Sequence, residues 1–132
     1  LYQCVKGLAA AARVVRPGGA ILLLAACEEG LPDHGEYARL LREAGSPQAV
    51  LDRVLQPGFS CQDSWQVQVQ AQVQLGAEVI VYSEGLSDEQ VADSLLTPCR
   101  DLINGLEELM AWFGSRVCIL PQGPLTILDR AQ

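Results

Sequence analysis

Gln3 and Lys6, near the start of the chain, have the types and the spacing to hold a small polar anion. They stand at i and i+3, so on a helix they project side by side. A lysine presents a compact positive charge, and a glutamine amide both donates and accepts. Together they suit the carboxylate and hydroxyl of a small ligand, although the same spacing describes an ordinary solvated helix face. Trp65 stands where a helix is expected to begin, beside capping groups. An indole there either walls an apolar pocket, donates its N–H, or packs as a core aromatic.

The remaining candidates are weaker. Glu28, Glu29 and Glu84 make an acidic patch or simply solvated loop charges. Asp33 and His34 suggest a dyad, but adjacent residues in extended chain point apart. Cys4, Cys27, Cys61, Cys99 and Cys118 are odd in number, scattered and without a CxxC pair, which speaks against a disulfide framework and a structural zinc site. A thiol nucleophile needs a base or cation beside it, and His34 is the chain's one histidine. There is no GxGxxG, Walker A, HExxH or GxSxG motif.

The elements that must position these groups follow from periodicity. Val5, Leu8, Ala9, Ala12 and Val15 share a helical face over 2–15, and Pro17-Gly18-Gly19 ends that helix. The apolar run over 20–26 reads as a strand covered on both faces, as in a parallel sheet. Helices are expected over 35–44 and, behind Ser46-Pro47, over 47–55. The segment from Trp65 to Leu75 alternates apolar residues with glutamines, which is a strand's period. Yet Asp63-Ser64-Trp65-Gln66 has capping-box spacing, Gly76 suits a helix end, and parallel strands need a crossover, so a helix is expected. A strand over 78–82, a capping box at Ser87 opening a helix to Leu96, a break at Thr97-Pro98, a helix over 101–113 and a third strand from Arg116 to Leu120 complete the pattern. This order predicts one three-layer α/β domain over 1–132 with a mainly parallel central sheet. Ligands of such sheets bind beyond the carboxyl ends of the strands, here around 27–30, 83–85 and 121–124.

The chain has 132 residues, 49% hydrophobic and 19% charged, enough for a core without staples. Nine basic against 16 acidic residues give −7 with no basic cluster, which speaks against nucleic-acid binding. No apolar stretch reaches the roughly 18–20 residues of a membrane span, and no signal peptide is visible. A cytoplasmic location is expected. A functional helix at the very start implies that a partner domain lies upstream.

The opening Leu1-Tyr2-Gln3-Cys4-Val5-Lys6-Gly7-Leu8, with Arg16-Pro17-Gly18-Gly19, Asp63-Ser64-Trp65-Gln66, the 78–83 strand and Arg116 to Gly123, resembles the C-terminal domain of the nickel-dependent lactate racemase family. The resemblance implies a two-domain enzyme with its active site in the cleft between the domains. It implies a nickel pincer nucleotide, derived from pyridinium dithiocarboxylate, tethered to a lysine of the N-terminal domain. That cofactor takes hydride from the α-carbon of a 2-hydroxy acid and returns it to either face. By motif, the substrate-binding residues fall on Gln3, Lys6 and Trp65, with Tyr2 lining the cleft. This chain would supply no metal ligand and no catalytic base, so alone it is expected to be inactive. The competing reading is a non-catalytic α/β binding or interaction module that keeps the family fold.

Overall fold

A computed structural model describes residues 1–32 and 35–127, so the Asp33–His34 pair lies outside the described residues. A 3-10 turn over Tyr2–Cys4 leads into α1 (Val5–Ala11). The amphipathic stretch expected over 2–15 is therefore divided. Beyond Ala11, i→i+3 bonds from Arg13 to Ala10 and from Val14 to Ala11 tighten the chain into turns before Pro17.

β1 (Gly19–Leu24) follows, then α2 (Tyr37–Ala44), α3 (Pro47–Val54), α4 (Ser64–Gly76) and β2 (Ala77–Tyr82). α5 (Asp88–Asp93), β3 (Thr97–Cys99) and α6 (Leu102–Phe113) come next, and a short 3-10 turn spans Gly123–Leu125. The sheet is parallel throughout, in the order β1-β2-β3, and β1 and β2 pair in register from Gly19↔Ala77 to Leu24↔Tyr82. The fold is α/β around a parallel sheet, as the alternation of elements implies.

Several boundaries have identifiable causes. Ser46 Oγ accepts from Ala49 N, with Pro47 at the first helical position of α3. A capping box opens α5: Gln90 N donates to Ser87 Oγ at 3.1 Å and Ser87 N to Gln90 Oε1 at 2.9 Å. That helix stops at Asp93, short of Leu96, because Leu95 turns left-handed (φ 60°).

The expected third strand at Arg116 to Leu120 does not form. The third place belongs to Thr97–Cys99, where only a break had been expected, paired Ile80↔Thr97 to Tyr82↔Cys99. Pro98 is tolerated because β3 is an edge strand, where a missing N–H costs no ladder bond. With that edge of β2 filled and α6 against β1, residues 116–120 have no strand partner, and Val117, Cys118 and Ile119 are exposed.

Two apolar cores result. Ile21, Val79 and Val81 pack with Leu8 of α1, Val73 of α4 and Val91 of α5. Tyr37, Leu40 and Leu41 of α2, Val50 of α3, and Val67 and Ala71 of α4 gather with Val5 of α1 in the second. α1 and α4 thus belong to both cores. The five cysteines are free thiols, and no described helix is long and apolar enough to cross a membrane.

Candidate functional site at the carboxyl edge of the sheet

The start of the chain is fastened to the loop that leaves β1. Leu1 N donates to the Gly30 carbonyl at 3.4 Å, Gly30 N to the Cys27 carbonyl at 2.7 Å, and Cys4 N to the Leu1 carbonyl at 2.8 Å. The Cys4 thiol is pushed up to about 11, first by burial and then by the Cys27 thiol beside it. This ring of contacts sets the first turn and the amino end of α1 at the carboxyl edge of the sheet, where α/β folds bind ligands. Gln3 and Lys6 both remain exposed there, and Tyr2 is half-buried.

Tyr2 is held on three sides. Its hydroxyl donates to Asp63 Oδ1 at 3.1 Å, and its carbonyl accepts from Gln66 Nε2 at 2.7 Å. Its ring stands edge-on to Tyr37 (5.4 Å between centroids, 80°) and to Trp65 (6.3 Å, 82°). Burial first, then the Asp63 carboxylate, raise the Tyr2 hydroxyl above its ordinary value, so near neutral pH it acts as a donor and not as a base.

The expected capping box at Asp63 is therefore not closed. Asp63 sits in a left-handed conformation (φ 65°, ψ 1°) and its side chain caps no N–H of α4. Both residues that match the box, Asp63 and Gln66, bond to Tyr2 instead. Gln66 is fully buried, and among the described residues its Oε1 has no partner.

Trp65 projects from the first turn of α4 and is 54% exposed, so it is not a core aromatic. With Tyr2 it forms a short aromatic wall. The 3-10 turn Gly123–Leu125 returns against α1, where a Cβ on Gly123 would lie 3.2 Å from Gly7 Cα and one on Gly7 3.4 Å from Pro124 Cδ. Two glycines let these backbones touch one residue away from Lys6. Glu28, Glu29 and Glu84 are exposed loop charges. Among the described residues no three His, Cys, Asp or Glu side chains gather closely enough to hold a metal ion.

An exposed ammonium and amide, carried within four residues of the Tyr2 ring, are groups that can bind a small anion. Sequence reasoning named Tyr2, Gln3, Lys6 and Trp65 but missed what ties Tyr2 to Trp65, namely Asp63 and Gln66. Gln66 had a usable signal: once 65–75 is taken as a helix, Gln66, Gln70 and Gln74 fall at i, i+4 and i+8 on one stripe. Asp63 had none, since its spacing is that of an ordinary cap.

Comparison with known proteins gives this α/β chain a class: the C-terminal domain of lactate racemases. The model for "Lactate racemase C-terminal domain" matches residues 1–127, and the chain belongs to that family. It is 30% identical over 132 residues to a lactate racemase of Thermoanaerobacterium thermosaccharolyticum, covering 97% of this chain and 31% of that protein. It is 26% identical over 127 residues to a lactate racemase of Lactiplantibacillus plantarum, covering 93% and 30%. The solved structure of the T. thermosaccharolyticum lactate racemase apoprotein superposes with a TM-score of 0.87 at 28% identity, over 98% of this chain and 32% of that one. The chain thus spans about a third of the length of these relatives.

Proposed function

We propose that this domain is the substrate-cleft part of a racemase or epimerase of 2-hydroxy acids, closed by an N-terminal domain of the same protein. The observation that carries this reading is the joint exposure of Gln3 and Lys6 at the carboxyl edge, beside the Tyr2–Trp65 wall, in a chain of the lactate racemase family. Lys6 binds the substrate carboxylate as a point charge, and the Gln3 amide donates to the hydroxyl oxygen as it develops negative charge. Trp65 and Tyr2 bound the side of the substrate and exclude water from it. Fixing the carboxylate and the oxygen on one helix turn orients the α-carbon toward the partner domain.

On this reading the nickel pincer nucleotide that the family resemblance implies is held by the N-terminal domain. When bound there it supplies the acceptor and donor of hydride at the α-carbon; the present chain binds and orients.

The test is chiral analysis of 2-hydroxy acids incubated with the full-length, cofactor-loaded protein. Interconversion of the two enantiomers by that protein, and none by the 132-residue chain alone, is expected. Racemisation by the isolated chain, or no activity of the full-length protein on any 2-hydroxy acid, overturns the proposal.

A further inference from the structure

We propose that Asp63 is a positioning residue, whose carboxylate holds the Tyr2 ring against Trp65 and so sets the shape of the substrate wall. The inference rests on the proposed function, in which Tyr2 and Trp65 line the cleft, and adds a residue that touches no substrate.

Three features single out Asp63. It occupies the N-cap position of a 13-residue helix, where the exposed N–H groups and the helix dipole attract a carboxylate. Its side chain nevertheless turns away to accept from the Tyr2 hydroxyl 61 residues earlier in the chain. The residue also takes a left-handed conformation (φ 65°), which Asp adopts more readily than most L-residues and which turns its side chain away from the helix end. Finally, the surroundings are shaped to admit the carboxylate. A Cβ on Gly35 would lie 2.5 Å from Asp63 Oδ2, and Gly35 has φ 81°, so only glycine leaves that space.

The geometry passes from Asp63 to Trp65 through one ring. Tyr2 lies edge-on to both Tyr37, which is buried in the second core, and Trp65, which is exposed. Gln66 Nε2 fixes the Tyr2 backbone from the same helix turn. With the backbone pinned by Gln66 and the hydroxyl by Asp63, the long axis of the ring is fixed at both ends, and the near-perpendicular rings of Tyr37 and Trp65 set its plane. Releasing the hydroxyl leaves the backbone in place but lets that axis swing about the Cα–Cβ bond, so the wall loosens without the helix moving.

The experiment uses full-length protein labelled with 5-fluorotryptophan, with the Trp65 fluorine resonance assigned by its loss in Trp65→Phe. Asp63→Ala and Tyr2→Phe are each expected to shift that resonance and to raise KM for the 2-hydroxy acid by about three- to tenfold, as for loss of one polar contact. Asp63→Asn keeps an acceptor and tolerates the left-handed backbone, so it recovers most of both effects. Because both single changes cut the same bond, the double variant is expected to be no worse than the more severe single one. If Asp63→Ala lowers Tm but leaves the Trp65 resonance and KM unmoved, Asp63 is only a turn residue and the proposal is overturned. If that variant does not fold, Tyr2→Phe decides the same question. Should the full-length protein racemise no 2-hydroxy acid, the proposed function fails, while the fluorine shifts still decide whether Asp63 positions Trp65.

Discussion

The Tyr37 hydroxyl donates to Oε1 of Gln70 inside the second core, and Gln70 Nε2 donates in turn to the Ser94 carbonyl at 2.7 Å. Gln70 and Ser94 are fully buried, and Tyr37 nearly so. One glutamine of α4 therefore satisfies polar groups of α2 and of the turn after α5. Gln74 extends the stripe by donating to the Leu95 carbonyl. Gln70→Leu, close to it in size, leaves a buried hydroxyl and a buried carbonyl without partners, at about 1–3 kcal/mol each. Urea unfolding is expected to show a loss in that range or above. Tyr37→Phe in the Gln70→Leu background removes one orphan and should recover part of the loss, the mark of a shared bond.

Lys6 and Gln3 should behave in the opposite way. Lys6 is exposed in the first turn of α1 and Gln3 in the 3-10 turn before it, so truncation leaves no buried group unpaired. Lys6→Ala and Gln3→Ala in the full-length protein are expected to leave Tm within about 1 °C, as surface changes do. Each is expected to lower kcat/KM by roughly ten- to over a hundredfold, corresponding to about 1.5–3 kcal/mol for a charge-assisted contact. Steady-state kinetics on both enantiomers of the substrate makes the check. Unchanged kcat/KM in both variants reduces the pair to a solvated face.

Much of this arrangement was legible in the residues. The apolar runs over 20–26 and 78–82, with helical spacing between them, imply two parallel strands and a crossover, and both strands form, the first over Gly19–Leu24. The 65–75 segment was legible because parallel strands need a crossover between them and Gly76 suits a helix end. What its alternating pattern hid was the use of its glutamines, because a periodic pattern reports faces and not partners. Gln66 and Gln70 sit at core positions since they donate to the Tyr2 and Ser94 carbonyls of distant segments, and Gln70 also accepts from the Tyr37 hydroxyl. The Arg116 to Leu120 run failed as a strand for a similar reason. Its composition suits a sheet, but pairing depends on a vacant edge, and Thr97–Cys99 fills that of β2. For Gln3 and Lys6, spacing alone left an anion-binding pair and a solvated face both open, and the roles proposed for them and for Tyr2 come from the resemblance.

Gly85 marks where the carboxyl ends of β1 and β2 are tied. Its N–H donates to the Ala26 carbonyl at 3.0 Å, and a Cβ on it would stand 2.3 Å from the Cys27 carbonyl oxygen and 2.4 Å from that of Ala26. Both obstacles are backbone, so no side-chain rotation relieves them. Cys27 itself already carries φ 49°, which leaves the loop little freedom to yield. Gly85→Ala is expected to cost about 1–3 kcal/mol or more, as overpacking does. It also displaces the loop whose Gly30 carbonyl anchors Leu1. A thermal shift that also weakens substrate binding would show that the tie supports the site; Gly76→Ala, with open space around it and no positive φ, is the control for loss by crowding.

The alkaline limit of stability should be set by the groups packed around the first turn. Cys4 is raised from 9.0 to about 11 by burial and by Cys27, and burial foremost raises Tyr37 and Tyr2 above their ordinary 10.0. In each case the folded state holds the proton more tightly than the unfolded chain. The stabilisation from each group is then fully present below its unfolded value and is lost as pH rises through its folded value. Stability is accordingly expected to be level up to about pH 9 with respect to these groups, to fall between pH 9 and 11 as Cys4 makes its contribution, and to fall further above pH 10 as the tyrosines make theirs. Calorimetry across this range provides the measurement. Cys4→Ala removes the earliest of the three titrations, so the onset of the decline should move from near 9 toward 10, while Cys118→Ala, at an exposed position, should leave it in place.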